Sequence, residues 1–404
     1  MSDAASQPDD GRPVYLDHAA TSPLRAEVRR AMEEAAGEAD FNPASPHDFG
    51  RRARSRLEDA RRELAGVLGA DRRELVFTAG GTQSDNLAVL GFARAHREEE
   101  PCLLVSAVEH KAVLGAARQA AREGARVEEI PVDGDGTLRL DALEEALSRG
   151  DGAPTLVSVM WANNEVGTVQ PVAEAAELAH EHGALFHTDA VQALGKTPVD
   201  AGEVGVDLLT ATAHKLGGPA GVGLLVVSDD VELEPLVRGG SQEGGLWPGT
   251  QNAMGAVGFA EAARRIVEEL PDAAPRWREM RDGLAERLRS EVDDLRVHGE
   301  SAPGRLPNLL SVGIPGCDPS PLLVSLDLEG IAVSSGSACD SESASPSHVL
   351  EAMGVEGPAS DYAVLRFSFG PDTAREEVRR AGEVAARVVG GVRSDRSAAA
   401  QGGA

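Results

Sequence analysis

Between residues 73 and 228 short apolar runs alternate with stretches of helical periodicity, and this rhythm restricts the fold more than any other feature of the chain. Glu74–Thr78, Leu103–Ser106, Arg126–Ile130, Thr155–Met160, Leu185–Thr188, Leu208–Ala211 and Val222–Val227 read as strands. Gln83–Arg97, Ala112–Glu123, Asp141–Ser148 and Ala173–His182 read as the helices between most of them. Repeated strand–helix–strand crossovers require a mainly parallel sheet covered on both faces. Such sheets bind ligands beyond the C-terminal ends of their strands. The pattern therefore predicts an α/β large domain over 13–265, preceded within it by a short strand at Val14–His18 and helices at Pro23–Ala36 and Arg51–Leu68. After residue 265 the rhythm changes. A helix over Ala274–Glu291, strands at Asn308–Val312, Ile331–Ser334 and Val364–Ser368, and a helix over Thr373–Val389 read as a smaller α+β domain over 266–393, on which the first residues of the large domain can pack. Residues 1–12 and 394–404 are rich in Ser, Ala, Gly and Asp and read as disordered.

The chain holds 404 residues with 42% hydrophobic and 26% charged side chains, a composition suited to soluble domains with ample core. Its net charge of −27 argues against a general nucleic-acid surface, which needs clustered Lys and Arg, and gives no support for an anionic membrane partner. No apolar run approaches the roughly 20 residues of a membrane span. Three cysteines, Cys102, Cys317 and Cys339, form no CxxC pair, which points to free thiols in a reducing compartment and hence to a cytoplasmic protein.

Of 39 basic residues only three are lysines, and one, Lys215, stands in Thr212-Ala213-His214-Lys215 between two apolar runs. A lysine at a strand end, flanked by a hydroxyl and an imidazole, suits a Schiff base with an aldehyde cofactor; a solvated surface lysine is the plainer reading. Thr78-Ala79-Gly80-Gly81-Thr82 joins a strand to a helix, so it serves either as an anion cradle at a helix N-terminus or as a capped turn. His110 follows a strand and is either a ring-stacking, proton-moving group or a helix cap. Asn164 is a ring-contacting amide or turn chemistry. Asp189 can pair with a protonated ring nitrogen or cap a helix. Arg366, inside a strand-like run, needs a partner, either a substrate carboxylate or a structural acid. Cys339 sits in the small-residue loop Ser334-Ser335-Gly336-Ser337-Ala338-Cys339, which suits a reactive thiol, whereas Cys102 and Cys317 read as structural. Asp133-Gly134-Asp135-Gly136 is out of register for a calcium loop, and His180 and His182 point to different helix faces, so no metal is expected.

Taken in order, these motifs resemble the cysteine desulfurases, pyridoxal-phosphate enzymes of the class V aminotransferase family, over about residues 14–390. Tyr15-Leu16-Asp17, Asn42-Pro43-Ala44-Ser45, Ser84-Asp85-Asn86, Glu109-His110-Lys111, Asn163-Asn164-Glu165-Val166-Gly167 and His187-Thr188-Asp189-Ala190-Val191-Gln192 carry the resemblance with the lysine and cysteine motifs. It implies the pyridoxal-phosphate-dependent transferase fold, with a seven-stranded sheet, in a homodimer. It implies Lys215 as the Schiff-base lysine and Gly81, Thr82, Thr212 and His214 around the cofactor phosphate, with Thr250 supplied by the partner subunit. His110 would stack on the ring, Asn164 and Gln192 would contact its substituents, and Asp189 would hold its nitrogen. Asn42 and Arg366 would bind the carboxylate of L-cysteine. Cys339 would take the sulfur as a persulfide for an iron–sulfur scaffold or other sulfur acceptor, leaving L-alanine. The loop resembles that of the subgroup with a long mobile catalytic loop. Trp247 and Pro248 replace the family's arginine and small residue, Gly81 and Gln83 replace its Ala and Glu, and the C-terminus lacks the ending that helps dock a scaffold.

Rival readings are another class V aminotransferase, a selenocysteine lyase, and a sulfur-assembly scaffold with weak turnover. A thiol nucleophile has no use in transamination, and intact Lys215, Asp189, His110 and Cys339 argue against the scaffold. The acidic, arginine-rich surface resembles proteins adapted to high salt, where screening weakens self-repulsion. The melting midpoint is therefore expected to rise with added salt; complete folding in dilute buffer with no gain from salt would contradict that adaptation.

Overall fold

The computed structural model describes residues 12–336, 347–355 and 362–402, with side chains to 394. Its strands are β1 (Val14–Tyr15), β2 (Leu75–Thr78), β3 (Cys102–Ser106), β4 (Arg126–Ile130), β5 (Thr155–Ser158), β6 (Leu185–Asp189), β7 (Leu208–Thr212), β8 (Gly223–Val227), β9 (Arg296–Val297), β10 (Leu309–Pro315), β11 (Ile331–Ala332) and β12 (Tyr362–Ser368). Its helices are α1 (Ala26–Ala39), α2 (Asp48–Leu68), α3 (Gly81–Ala95), α4 (Lys111–Arg122), α5 (Leu140–Ser148), α6 (Val172–Glu181), α7 (Ala201–Val204), α8 (Ala253–Glu291), α9 (Pro319–Leu328), α10 (His348–Ala352) and α11 (Arg375–Gly402).

The central sheet has seven strands in the order β2-β8-β7-β6-β5-β3-β4. Strands β7, β6, β5, β3 and β4 pair in parallel, and β8 alone runs against its neighbours β7 and β2. The expected mainly parallel α/β sheet is what forms. Helices cover both faces, so the central strands are buried throughout: Leu208, Leu209, Leu224 and Leu225 are all inaccessible. One apolar cluster, with Phe186 and Leu209, packs under α1, α2 and the first half of α8; another, with Leu87, Val105 and Leu225, packs under α3 and α4.

A second sheet, β12-β10-β9, is antiparallel and packs with α8, α9 and α11 around Trp277, Leu310 and Phe367. Strand β1 joins β11 in parallel, so Val14 and Leu16 are buried in this cluster although they open the chain.

Several boundaries differ from the sequence expectation, which does not include α9. Helix α8 begins at Ala253, not Ala274, and runs unbroken past Pro271 and Pro275, so a boundary at 265/266 falls inside it. Each proline removes one intrahelical hydrogen bond and ordinarily ends a helix. Here Phe259 and Ala263 on one side of the prolines, and Trp277 and Met280 on the other, bury against different cores and hold one axis. Helix α1 starts at Ala26, not Pro23. Helix α11 continues past Val389 to Gly402, through the segment expected to be a disordered tail, where alanines favour the helix.

The loop after β8 is tied down by a buried ion pair. Glu243, at the left-handed φ of 49°, accepts two hydrogen bonds from Arg61, at 2.9 and 2.8 Å, one from Gln251 at 2.7 Å and one from the Phe77 amide at 2.8 Å. The Arg61 guanidinium also lies 4.7 Å above the Phe77 ring. Trp247, which stands where the resemblance expects arginine, packs against the cluster of Val76 and Leu87. Breaking one side of a buried pair leaves the other charge uncompensated, which costs about 3–5 kcal/mol. Glu243→Gln is expected to lower unfolding free energy by about 3 kcal/mol in urea titration; a loss under about 1 kcal/mol would show that the pair is not worth its burial.

Candidate active site

The parallel strands β2, β3, β5, β6 and β7 deliver their C-terminal ends to one edge of the sheet, and the turns that follow them enclose a cavity of ≈ 460 Å³. Lys215 reaches it directly after β7. Its Nζ donates to the carbonyls of Ala19 and Ala20 at 2.6 Å each. Thr212 and His214 line the same wall; Thr212 Oγ1 donates to the Val222 carbonyl at 3.0 Å. Burial first, and then the neighbouring Lys215 and Lys196, push His214 down to about 4, so its ring is neutral and pairs with the Thr21 hydroxyl at 3.1 Å.

At one end of the cavity lie Gly81 and Thr82, the first residues of α3, a helix whose N-terminus no side chain caps. Uncapped amides and the helix dipole make this a site for an anion. Gly80 has the positive φ of 156°, and a Cβ on Gly81 would come within 2.9 Å of Val191 Cγ2, so an alanine at 81 needs that side chain to shift.

The cavity floor is acidic and sealed. Asp189 is buried, and its Oδ1 accepts from the Val191 amide at 2.8 Å. Burial raises its pKa, while His110, Val191 and Lys215 pull it back. His110 caps α4 by accepting from the Ala112 amide at 3.2 Å and lines the cavity, so cap and site readings both hold. Burial lowers its pKa, and Asp189 opposes the shift. Among the described residues, Asp85, His110 and Asp189 bring one ligand atom each within 4.8 Å of one another.

Arg366 is 2% exposed and lines the cavity. It pairs with Asp17 at 2.8 Å and donates to the carbonyls of Asn164 and Gly336 at 2.9 and 3.0 Å. The structural acid left open by the sequence is thus Asp17, yet the guanidinium still faces the cavity. Asn164 and Gln192 line it too, with Gln192 Nε2 donating to the Ala19 carbonyl at 2.8 Å.

Two expected site residues lie elsewhere. Asn42 is exposed and closes its own turn, its Oδ1 accepting from the Ala44 amide at 2.9 Å, as an Asn-Pro turn favours. Thr250 is exposed and does not line this cavity. Cys339 lies outside the described residues. The cavity also gathers residues to which the sequence reading assigned no role: Asp85, Glu165 and His348. His348 Nε2 donates to the Glu109 carbonyl at 2.9 Å, a contact across 239 residues that no local pattern could signal.

An anion cradle, a buried carboxylate and a lysine amine lining one cavity are the complement of a phosphate, a ring nitrogen and an aldehyde. The residues present therefore fit pyridoxal phosphate. Comparison with known proteins agrees. Residues 14–381 match the Aminotransferase class-V family. The IscS-like cysteine desulfurase of Mycobacterium tuberculosis is 44% identical over 395 residues, 97% of this chain and 99% of that protein. A solved NifS-like protein superposes with a TM-score of 0.86 at 34% identity, covering 94% of this chain and 99% of its own. The structure of SspA in complex with cysteine superposes with a TM-score of 0.76 at 30% identity, covering 89% and 100%. Family match, full-length identity and shared fold lead to one conclusion: the chain belongs to the class-V aminotransferase family, among its cysteine desulfurases.

Proposed function

We propose that the protein is a pyridoxal-phosphate-dependent cysteine desulfurase that converts L-cysteine to L-alanine and collects the sulfur on Cys339. The observation that carries this reading is the convergence of Lys215, Asp189, His110 and Arg366 on one cavity whose rim includes Gly336. Cys339 is three residues from Gly336, a tether of at most about 11 Å. On the far side of that segment Ser347 Oγ donates to Glu165 Oε2 at 2.6 Å, and His348 lines the cavity.

The cofactor, when bound, supplies an electron sink for the substrate carbanion. The α3 N-terminus, with Gly81, Thr82, Thr212 and His214, would hold its phosphate, and Asn164 and Gln192 would lie toward its ring. Asp189 would place its carboxylate toward the ring nitrogen. Lys215 would offer its amine to the aldehyde and take the substrate α-proton. His110, its pKa lowered by burial, would lie beside the ring and accept or return a proton. Arg366 takes the substrate carboxylate. The Cys339 thiolate then attacks the substrate sulfur: an S–S bond forms, the Cβ–S bond breaks, and its electron pair returns to the alanine moiety, which is protonated on release.

A homodimer fits the exposed placement of Thr250, which is then presented to a second copy, and of Phe41 and Phe49, whose rings meet at 4.7 Å on the surface. Asn42 lies in the same exposed turn region. The persulfide passes to an iron–sulfur scaffold or another sulfur acceptor. A cytoplasmic setting fits a chain with three cysteines and no CxxC pair, and no helix among the described residues is long and apolar enough to cross a membrane.

The purified protein loaded with pyridoxal phosphate is expected to show lysine–cofactor absorbance and to release alanine and sulfide in equal amounts from L-cysteine with a thiol reductant present. Lys215→Ala should lose the absorbance and lower turnover by roughly 10²–10⁴-fold. Cys339→Ala should keep the absorbance and lose sulfide release; unchanged sulfide from that variant would overturn the assigned nucleophile.

A further inference from the structure

Asp85 sits in the second turn of α3, is 1% exposed and lines the cavity beside Asp189. Its Oδ1 is fully buried without a hydrogen-bond partner. The nearest basic group to that oxygen is His187 Nε2, at 3.8 Å. His187 does not provide a cation. Its Nδ1 pairs with the Ser158 hydroxyl at 2.8 Å and its Nε2 with the Thr210 hydroxyl at 3.2 Å, and burial pushes its pKa down to about 3. Glu109 is also wholly buried; its Oε1 accepts from the Met160 amide, and its Oε2 has no partner. Three carboxyl groups thus lie together, with His110 and Lys215 facing Asp189, the His348 ring at the Glu109 carbonyl, and Glu165 and Arg366 on the same cavity.

Like charges in a dry site cannot all ionise. Asp189 is the member best placed to be charged, since an amide donates to it and His110 and Lys215 face it. Asp85 has the opposite surroundings: burial dominates, and Asp189 and Glu109 add repulsion, with Thr210 the compensating hydrogen bond. We propose that Asp85 is a positioning residue for the ring-nitrogen end of the cofactor site, held as the neutral carboxylic acid so that Asp189 alone of the pair carries charge toward the cavity. A neutral acid there keeps the floor polar around Asp189 without adding a second charge that would compete for the ring nitrogen. The inference rests on the pyridoxal-phosphate reading above and names how its carboxylate is kept single.

The proton can be read directly. Infrared spectra of the holoenzyme with isotope-labelled aspartate should show a protonated-carboxyl stretch that shifts with the label and in heavy water, and Asp85→Asn should remove it. Glu109 does not respond to the aspartate label. The same variant, which replaces one neutral polar group by another of equal size, should bind pyridoxal phosphate and show its absorbance–pH midpoint unmoved. Absence of the labelled band in the native protein, or a midpoint shift of about one pH unit or more in Asp85→Asn, would overturn the proposal, since either means that Asp85 is charged. The labelled native protein answers even if the variant does not fold. Failure of the native protein to develop lysine–cofactor absorbance would overturn the cofactor reading, and with it this role of Asp85.

Discussion

The Asp17–Arg366 pair is the interaction on which the two halves of the molecule depend. Arg366 lies on β12, inside the second core, and a guanidinium that is 2% exposed must have an anion and hydrogen-bond acceptors or it would not stay buried. Asp17 supplies the charge, and the carbonyls of Asn164 and Gly336 supply the acceptors. The strap around Asp17 then fastens everything else. Tyr15 Oη donates to the Thr21 carbonyl at 2.8 Å, Ser368 Oγ accepts from the Ala19 amide at 2.8 Å, and Gln192 and Lys215 donate to the carbonyls of Ala19 and Ala20. A segment near the chain start thus closes one wall of the cavity and joins β12 to the lysine after β7.

Charge placement inside the cavity follows from dielectric arguments rather than from any one residue. Burial keeps His187 and His214 neutral and raises the acids of the floor. The charges that persist are those with a paired or donating neighbour: Arg366 with Asp17, and Asp189 with the Val191 amide. The site consequently joins uncapped helix amides and a favoured carboxylate on one cavity, so both an anion and a protonated nitrogen find a partner there.

Much of this was legible in the chain itself. Short runs bounded by helical periods located every strand of the central sheet to within two residues, the inner ones because burial on both faces demands apolar residues and the edge strand β4 by its place in the strand–helix rhythm. Turns after strands located Gly81, His110, Asn164, Asp189 and Lys215, because that topology sends every such turn to one edge. Where the reading went astray, competing local rules were sound but outweighed. The helix expected over Ala274–Glu291 begins earlier, at Ala253, and runs through Pro271 and Pro275, because both flanks are buried. Asn42, to which the resemblance assigns the substrate carboxylate, closes its own turn in this chain.

The sequence by itself determined the fold class and the order of the candidate turns, since strand periodicity and turn chemistry are local and survive in one dimension, and the motifs in that order carried the family resemblance that implied the cofactor. Only the tertiary structure decided which groups meet: Arg366 with Asp17 across 349 residues, Asp85 with Asp189, and the His348 ring with the Glu109 carbonyl. Those choices depend on desolvation and on distances of a few ångströms between segments far apart in the chain, and neither quantity is written in spacing or composition.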